Sequence, residues 1–288
     1  MQKNKDITHV DLAGVNRTLL LPLWARARES QKPNAILIDH QAKQIIDHLS
    51  QKETYKNTFD EMDKDFDPYY QISQLIRAKC LDDEIQEFLQ VHPSGTIVNW
   101  GAGLDTTFSR NDNGLLHWYD LDFPDVIELR KTFIPESERN KYIPKSLLDP
   151  SWYEDVEIVD QGLMFVACGV LFFLMESQVR QLFIDLVDAF PGSEAAFDTM
   201  TRLIMSIGNR GVLKQGGLDK RAIMQWSIRS ARTMASWDKR IAVIKEYPMF
   251  SRTHFDESWD RSVVNRMRMI NWMRGINIFR LRLGTPWL

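Results

Sequence analysis

The run Thr96–Arg110, TIVNWGAGLDTTFSR, holds the first residues whose types and spacing could do chemistry. A short apolar stretch leads into Gly101 and Gly103, the form of a strand entering a turn. Glycines let the backbone approach a ligand closely, and the start of the next helix leaves N–H groups free. A dinucleotide-binding loop would add a third glycine so that helix and strand can pack tightly around a pyrophosphate. Thr106 stands there instead, and Asp105 precedes it. An acid in the mouth of the turn repels a pyrophosphate and suits a ligand that brings positive charge, hydroxyls or amines.

S-adenosylmethionine, with a sulfonium and an ammonium group, meets that requirement. Asp122 lies nineteen residues after Gly103 and closes the second apolar run, HWYDLD. An acid about twenty residues past the glycines, at the end of a second strand, is placed to accept both hydrogen bonds of a ribose diol. Asp120 has the same chemistry but is expected to face the other side of the sheet. On spacing alone, a strand that simply ends in solvated acids before Pro124 explains Asp122 equally well.

These residues need a frame. Up to about residue 70 there is no strand alternation. LLLPLWARARES and NAILIDHQAKQIIDHL read as short helices parted by a turn at Lys32–Asn34, and FDEMDKDFDPYY reads as an acidic connecting loop. Ser73 heads a helix whose apolar face is Leu75, Ile76, Leu81, Ile85, Phe88 and Leu89, stopped at His92-Pro93-Ser94-Gly95. Strands and helices then alternate. TIVNW, LLHWYDLD, KYIPKSLLD, GLMFVACGV and EAAFDTM are strands, and FPDVIELRKTF and SQVRQLFIDLVDAF are helices. GLMFVACGV is apolar on both faces, as a central strand must be. The alternation predicts a doubly wound α/β sheet. From Thr201 to Arg240 the rhythm breaks, with nine Lys/Arg against two acids, Asp219 and Asp238. INIFRLRL, near the end, reads as an edge strand.

Bulk composition narrows the classes. With 288 residues, 44% hydrophobic and 26% charged, the chain can bury a sizeable core, and a net charge of −3 argues neither for nor against a polyanionic partner. Cys80 and Cys168 sit in a helix and a buried strand, so no disulfide framework is expected. Cys168 as a nucleophile would need a cation beside it, and none is near in sequence. MQKNKDITHV has no apolar signal core, and the longest apolar run, Leu163–Met175, is too short to span a bilayer. A cytoplasmic protein without a metal site is expected.

VNWGAGLDTTFSR, then HWYDLDFPDVIELRK, then KSLLD, in that order, closely resemble the leucine carboxyl methyltransferase family. LLLPLWARARES and QLIRAKCLDDEIQEFL match its N-terminal helices, so the resemblance covers most of the chain. It implies a class I methyltransferase: a Rossmann-like, doubly wound, seven-stranded α/β sheet with an N-terminal helical cap, residues 1–72, and a cofactor-binding core, residues 73–288. A basic helical insertion falls at about 201–240. It implies S-adenosylmethionine as cofactor, with Arg77 on the methionine carboxylate, Gly101 and Gly103 under the methionine portion and Asp122 on the ribose. Ser146 and Leu147 lie beside the adenine. Cys168 occupies the cofactor-side position where family members commonly have an acid. Phe173 stands where a tyrosine is common, and Trp100 where a smaller aliphatic residue is.

The resemblance further implies methyl transfer to a carboxylate or hydroxyl oxygen of a small molecule, polyketide-like or another secondary metabolite. No catalytic base stands out. The acceptor is expected between the N-terminal helices and the insertion, whose charge suits an anionic or carrier-bound acceptor if Lys214, Lys220, Arg221, Arg229 and Arg232 are more than solvated faces. Trp226 and Trp237 are expected to pack the insertion. Methylation of a protein C-terminal carboxylate and a non-catalytic binding role are the alternatives, and a nucleic-acid partner ranks behind both.

Overall fold

The computed structural model describes residues 15–160, 162–214 and 223–284. Strands β1 (Thr96–Trp100), β4 (Leu163–Ala167) and β5 (Glu194–Met200) are buried at every residue and form the middle of one sheet. β2 (His117–Asp122) and β3 (Asn140–Pro144) extend it on one side, β7 (Ile276–Leu283) and β6 (Ile241–Pro248) on the other, in the order β3-β2-β1-β4-β5-β7-β6. Pairing is parallel from β3 to β5, and β7 runs antiparallel to both its neighbours. Strand order reverses between β1 and β4, which opens a crevice at their carboxyl ends, the usual ligand position in such sheets.

Alternate residues of each strand feed opposite layers. Ile97, Trp118, Met164 and Val166 pack under α4 (Pro68–Val91) and α10 (Arg261–Trp272). Val98, Trp100, Phe165 and Phe197 pack under α7 (Glu176–Ala189). Among the described residues no helix is long and apolar enough to cross a membrane.

Three local readings differ from the sequence expectation. The acidic stretch before residue 66 is no loop but the second half of α3 (Glu53–Asp65), whose Phe59 and Met62 turn inward while the acids stay solvated. The next helix, α4, begins at Pro68 and not at Ser73, because Asp67 accepts from the Tyr69 N–H and Pro68 fits a first turn. β7 is not the edge. Its outward-reading arginines are buried or half-covered by acids: Arg280 Nε lies 2.6 Å from Glu194, and Arg282 Nη2 3.1 Å from the same carboxylate. The edge belongs to β6, a strand with weak alternation and a register shift between Val243 and Lys245. The interrupting segment forms α8 (Arg202–Lys214) and α9 (Ala231–Ala235).

The N-terminal helices are fastened to the glycine turn by buried charge. α1 (Val15–Glu29) carries Arg26, whose Nε donates to Asp39 Oδ2 at 2.8 Å. Asp39 caps α2 (His40–Leu49) through the Ala42 N–H at 2.8 Å and accepts from Thr106 and from Arg110 Nη1, the latter at 3.0 Å. Arg110, on the short helix α5 (Thr107–Asn111), also donates to both oxygens of Asp82 in α4, at 2.8 and 3.0 Å. Leu104, from the turn itself, packs with Leu20, Leu23 and Trp24 of α1. Asp39 is fully buried. Burial opposes its charged form, but Arg26 and Arg110 outweigh that and hold its carboxyl below the ordinary range.

Removing one partner strands the others in a place without water. Asp39→Ala is expected to cost about 3–5 kcal/mol, read as a lower urea midpoint. Asp39 and Asp105 both have folded pKa values below their unfolded ones, Asp105 at about 2. Their stabilisation is complete above the unfolded value of about 4 and is lost as pH falls through the folded values. Acid unfolding of the Asp39 variant should therefore be shallower than that of the parent chain.

Candidate active site

At the carboxyl end of β1 the chain turns through Gly101 (φ 63°) and Gly103 (φ 49°), the left-handed region that β-carbon residues avoid. A Cβ on Gly101 would lie 2.6 Å from Val170, in the turn after β4, and one on Gly103 would lie 2.8 Å from Leu19 of α1. The turn is closed over β2. Gly101 N donates to Leu121 O at 2.8 Å, and Gly103 N donates to Asp122 Oδ2 at 2.8 Å. Asp122 Oδ1 accepts from its neighbour Phe123 N at 2.7 Å. Burial pushes the Asp122 carboxyl up, while these two N–H groups favour its charged form. Each oxygen spends one lone pair on the backbone and keeps another, so the group can still accept a pair of hydroxyls.

Asp105 turns out not to be a free acid awaiting a cation. Arg26 and Arg110 lie 3.5 and 3.9 Å from its Oδ1, and Arg130, on α6 (Pro124–Lys131), donates to its carbonyl at 2.6 Å and to that of Gly103 at 3.1 Å. Burial disfavours the carboxylate, yet these guanidinium groups hold it at about 2. Asp105 shapes the turn. Asp120 is corrected too: residues two apart on a strand share a face, so it lies on the same side as Asp122. It is withheld because it is fully buried, 2.6 Å from Arg130, and bonded to Trp118 Nε1 and Asn99 Nδ2 at 2.8 and 3.0 Å.

Ser146 and Leu147 follow β3, beside the end of β2, where Asp122 pairs with Pro144. Ser146 O accepts from Asp149 N at 3.0 Å, and the buried Leu147 gives its carbonyl to Trp152 Nε1 at 3.1 Å. Trp100 packs in the same apolar cluster as Leu147, fully buried and stacked on Phe165 with centroids 5.0 Å apart, so it serves the core under α7.

Arg77 reaches from α4 to the turn after β4. Its Nη1 lies 3.3 Å from Asp198 Oδ2 and its Nη2 donates to Gln74, while its Nε is buried with no partner among the described residues. A Cβ on Gly169 (φ 76°) would stand 2.7 Å from that guanidinium. Cys168 adjoins it, so the fold supplies the cation that the local sequence lacks. Burial still wins and pushes the Cys168 thiol up to about 11, with Arg77 opposing. Asp198, 2% exposed in β5, was missed from sequence, although an acid inside the otherwise apolar EAAFDTM is the signal that could have found it.

A cavity of about 990 Å³ opens at the carboxyl end of β5, where Thr201 N donates to Gly275 O at 2.9 Å. Leu203, Trp226, Ile228, Arg202, Arg229 and Trp272 line it. Among the described residues its walls come from Thr201 and α8, residues 225–229, the end of α10 with residues 273–275, and Glu176 of α7. The N-terminal helices expected there contribute none. Trp226 is buried and within ring contact of Phe197 and Trp237, a packing position. Arg232 is exposed on α9 outside the lining. Lys220 and Arg221 lie outside the described residues, as does the side chain of Lys214.

A glycine turn after β1, an acid closing β2 and further loops at the ends of β3 and β4 lie at the strand ends of a Rossmann-like, doubly wound sheet of the kind seen in class I methyltransferases. Two solved structures share the fold: a DUF574 family protein from Streptomyces avermitilis (TM-score 0.56, 10% identity, 92% of this chain and 96% of that one) and a putative methyltransferase from Thermobifida fusca (TM-score 0.54, 13% identity, 91% and 94%). The model of the leucine carboxyl methyltransferase family matches residues 20–187, more than half of the chain, and the chain belongs to that family. It is 26% identical over 234 residues to the tetracenomycin polyketide synthesis O-methyltransferase TcmP of Streptomyces glaucescens, covering 79% of this chain and 80% of that one. It is 28% identical over 193 residues to the S-adenosyl-L-methionine-dependent methyltransferase dpfgK of Gibberella zeae, covering 64% of each. The chain is thus an S-adenosylmethionine-dependent O-methyltransferase.

A thiol raised to about 11 is a poor nucleophile at neutral pH. Cys168 should react with iodoacetamide far more slowly than a free thiol at pH 7.5, with a rate that climbs toward pH 11. A rate equal to that of free cysteine would mean that Arg77 outweighs burial.

Proposed function

We propose that this chain methylates a carboxylate oxygen of a small anionic acceptor, a polyketide-like or other secondary-metabolite acid, bound in the cavity between α8 and α10. The observation that carries this reading is the adjacency of that cavity, at the end of β5, to the row of loops that ends β3, β2, β1 and β4. TcmP, by its name, serves polyketide synthesis. Arg202 and Arg229 line the cavity with no ion-pair partner among the described residues, and Leu203, Ile228 and Trp272 supply apolar wall.

For the cofactor, the fit rests on groups left partly unsatisfied. Asp122 keeps two lone pairs for the ribose diol, and the Nε of Arg77, buried without a partner among the described residues, suits the methionine carboxylate. Gly101 and Gly103 run beneath the methionine portion, Ser146 and Leu147 flank the adenine, and Cys168 borders the sulfur end. S-adenosylmethionine supplies a methyl group already activated by its sulfonium. The residues of the chain then have to align acceptor and donor and keep water out. Among the described side chains lining the cavity, Glu176 is the single acid beside Arg202, Arg229 and Arg274, with no histidine or lysine. An acceptor that arrives ionised needs no base, which favours a carboxylate over an alcohol. The helical cap of residues 1–72 over a core of 73–288, and a cytoplasmic location, complete the proposal.

A methyl-transfer assay against aromatic carboxylic acids and phenols, with mass detection, tests this. Acids should be methylated and phenols should not. Asp122→Ala is expected to abolish S-adenosylmethionine binding with the fold intact. Arg202→Ala and Arg229→Ala should each raise KM for the acid about tenfold, the size of one charged hydrogen bond, and leave cofactor affinity alone. Turnover of phenols alone would overturn the carboxylate assignment.

A further inference from the structure

Arg77 can meet a carboxylate only if its guanidinium is held at the carboxyl ends of β4 and β5, and the residue that holds it is not one of the cofactor-binding positions. We propose that Asp198 is the positioning residue that aims Arg77 at the amino-acid end of the cofactor, supplying from β5 the negative charge that family members commonly carry at the position of Cys168. The inference rests on the reading of Arg77 given above.

Asp198 is 2% exposed and divides its carboxylate between two jobs. Oδ2 faces Arg77 Nη1 at 3.3 Å, and Oδ1 accepts from Gly169 N at 2.6 Å. The first contact neutralises a guanidinium that is only 15% exposed. The second fixes the left-handed turn at Gly169, against which the same guanidinium lies so closely that a Cβ would come within 2.7 Å. One carboxylate therefore sets both the floor under Arg77 and the direction of its plane. Gln74 takes Nη2 on the α4 side, which leaves Nε as a buried donor without a partner among the described residues. A glutamate or aspartate at residue 168 would approach the guanidinium from the turn itself. Cys168 cannot, because burial keeps its thiol protonated and uncharged at neutral pH. A buried arginine with no carboxylate would be costly, so the acid on β5 takes the place of one at residue 168.

The test compares two neutral thioethers by isothermal titration. S-adenosylhomocysteine carries the amino-acid carboxylate, and 5′-methylthioadenosine has the same adenosine without it. Asp198→Asn, which keeps the shape and removes the charge, should weaken S-adenosylhomocysteine about tenfold or more and leave 5′-methylthioadenosine within about twofold. Arg77→Met should give the same selective loss, and the double variant should be no worse than Arg77→Met alone, since the two act as a unit. Adding Cys168→Glu to Asp198→Asn should restore much of the lost affinity, which a merely structural role for Asp198 would not produce. If Asp198→Asn does not fold, Asp198→Glu shifts the guanidinium by one methylene and should show the same selectivity. Equal loss of both ligands, or no rescue by Cys168→Glu, overturns the proposal. A parent chain that binds neither ligand, or an Arg77→Met variant that binds both normally, overturns the cofactor reading beneath it.

Discussion

Buried ion pairing around the glycine turn is the constraint from which the rest of this structure follows. Arg26, Arg110 and Arg130 converge on Asp39, Asp105, Asp82 and Asp120 with little or no access to water. Charges taken out of water are tolerable only when all their partners are present. The network thus forms as a whole, and it draws on α1, the cap of α2, α4, β2, α5 and α6. The turn after β1 takes its shape because six elements close on it. Its glycines accommodate close approach by Val170 and Leu19 as much as any ligand.

That constraint changes what the acid in the turn means. An aspartate beside two glycines looks like a ligand for a cation, yet its charge is spent on arginines supplied by distant elements. Two acids stand outside that network, one closing β2 and one within β5. Asp122 is engaged by two backbone N–H groups that leave lone pairs free, and Asp198 turns an arginine on the neighbouring helix. β5, at whose carboxyl end the cavity opens, lies next to β4 in the sheet, and the N-terminal helices contribute no lining residue among the described residues.

Much of the frame was legible, and the reasons are local. β1, β4 and β5 read correctly because strands covered on both faces cannot hide their apolar continuity. α3 did not, since its acids are the solvated side of a helix that buries only Phe59 and Met62. β7 looked like an edge because Arg280 and Arg282 alternate with apolar residues. Glu194 and Glu84 neutralise Arg280, and nothing near β7 in sequence announces them. β6 carries too little alternation to declare itself.

The sequence by itself determined the five parallel strands, the glycine turn, the acid that closes β2 and the family to which the chain belongs, because each is written in contiguous residues with its own period or spacing. Tertiary structure alone decided which charges are free. Asp105 and Asp120 are consumed by arginines, Cys168 acquires Arg77 as a neighbour yet stays protonated, and Arg77 acquires Asp198 from a strand 121 positions away. Electrostatic energy depends on distance through space and on exclusion of water, and neither quantity is a property of neighbouring letters.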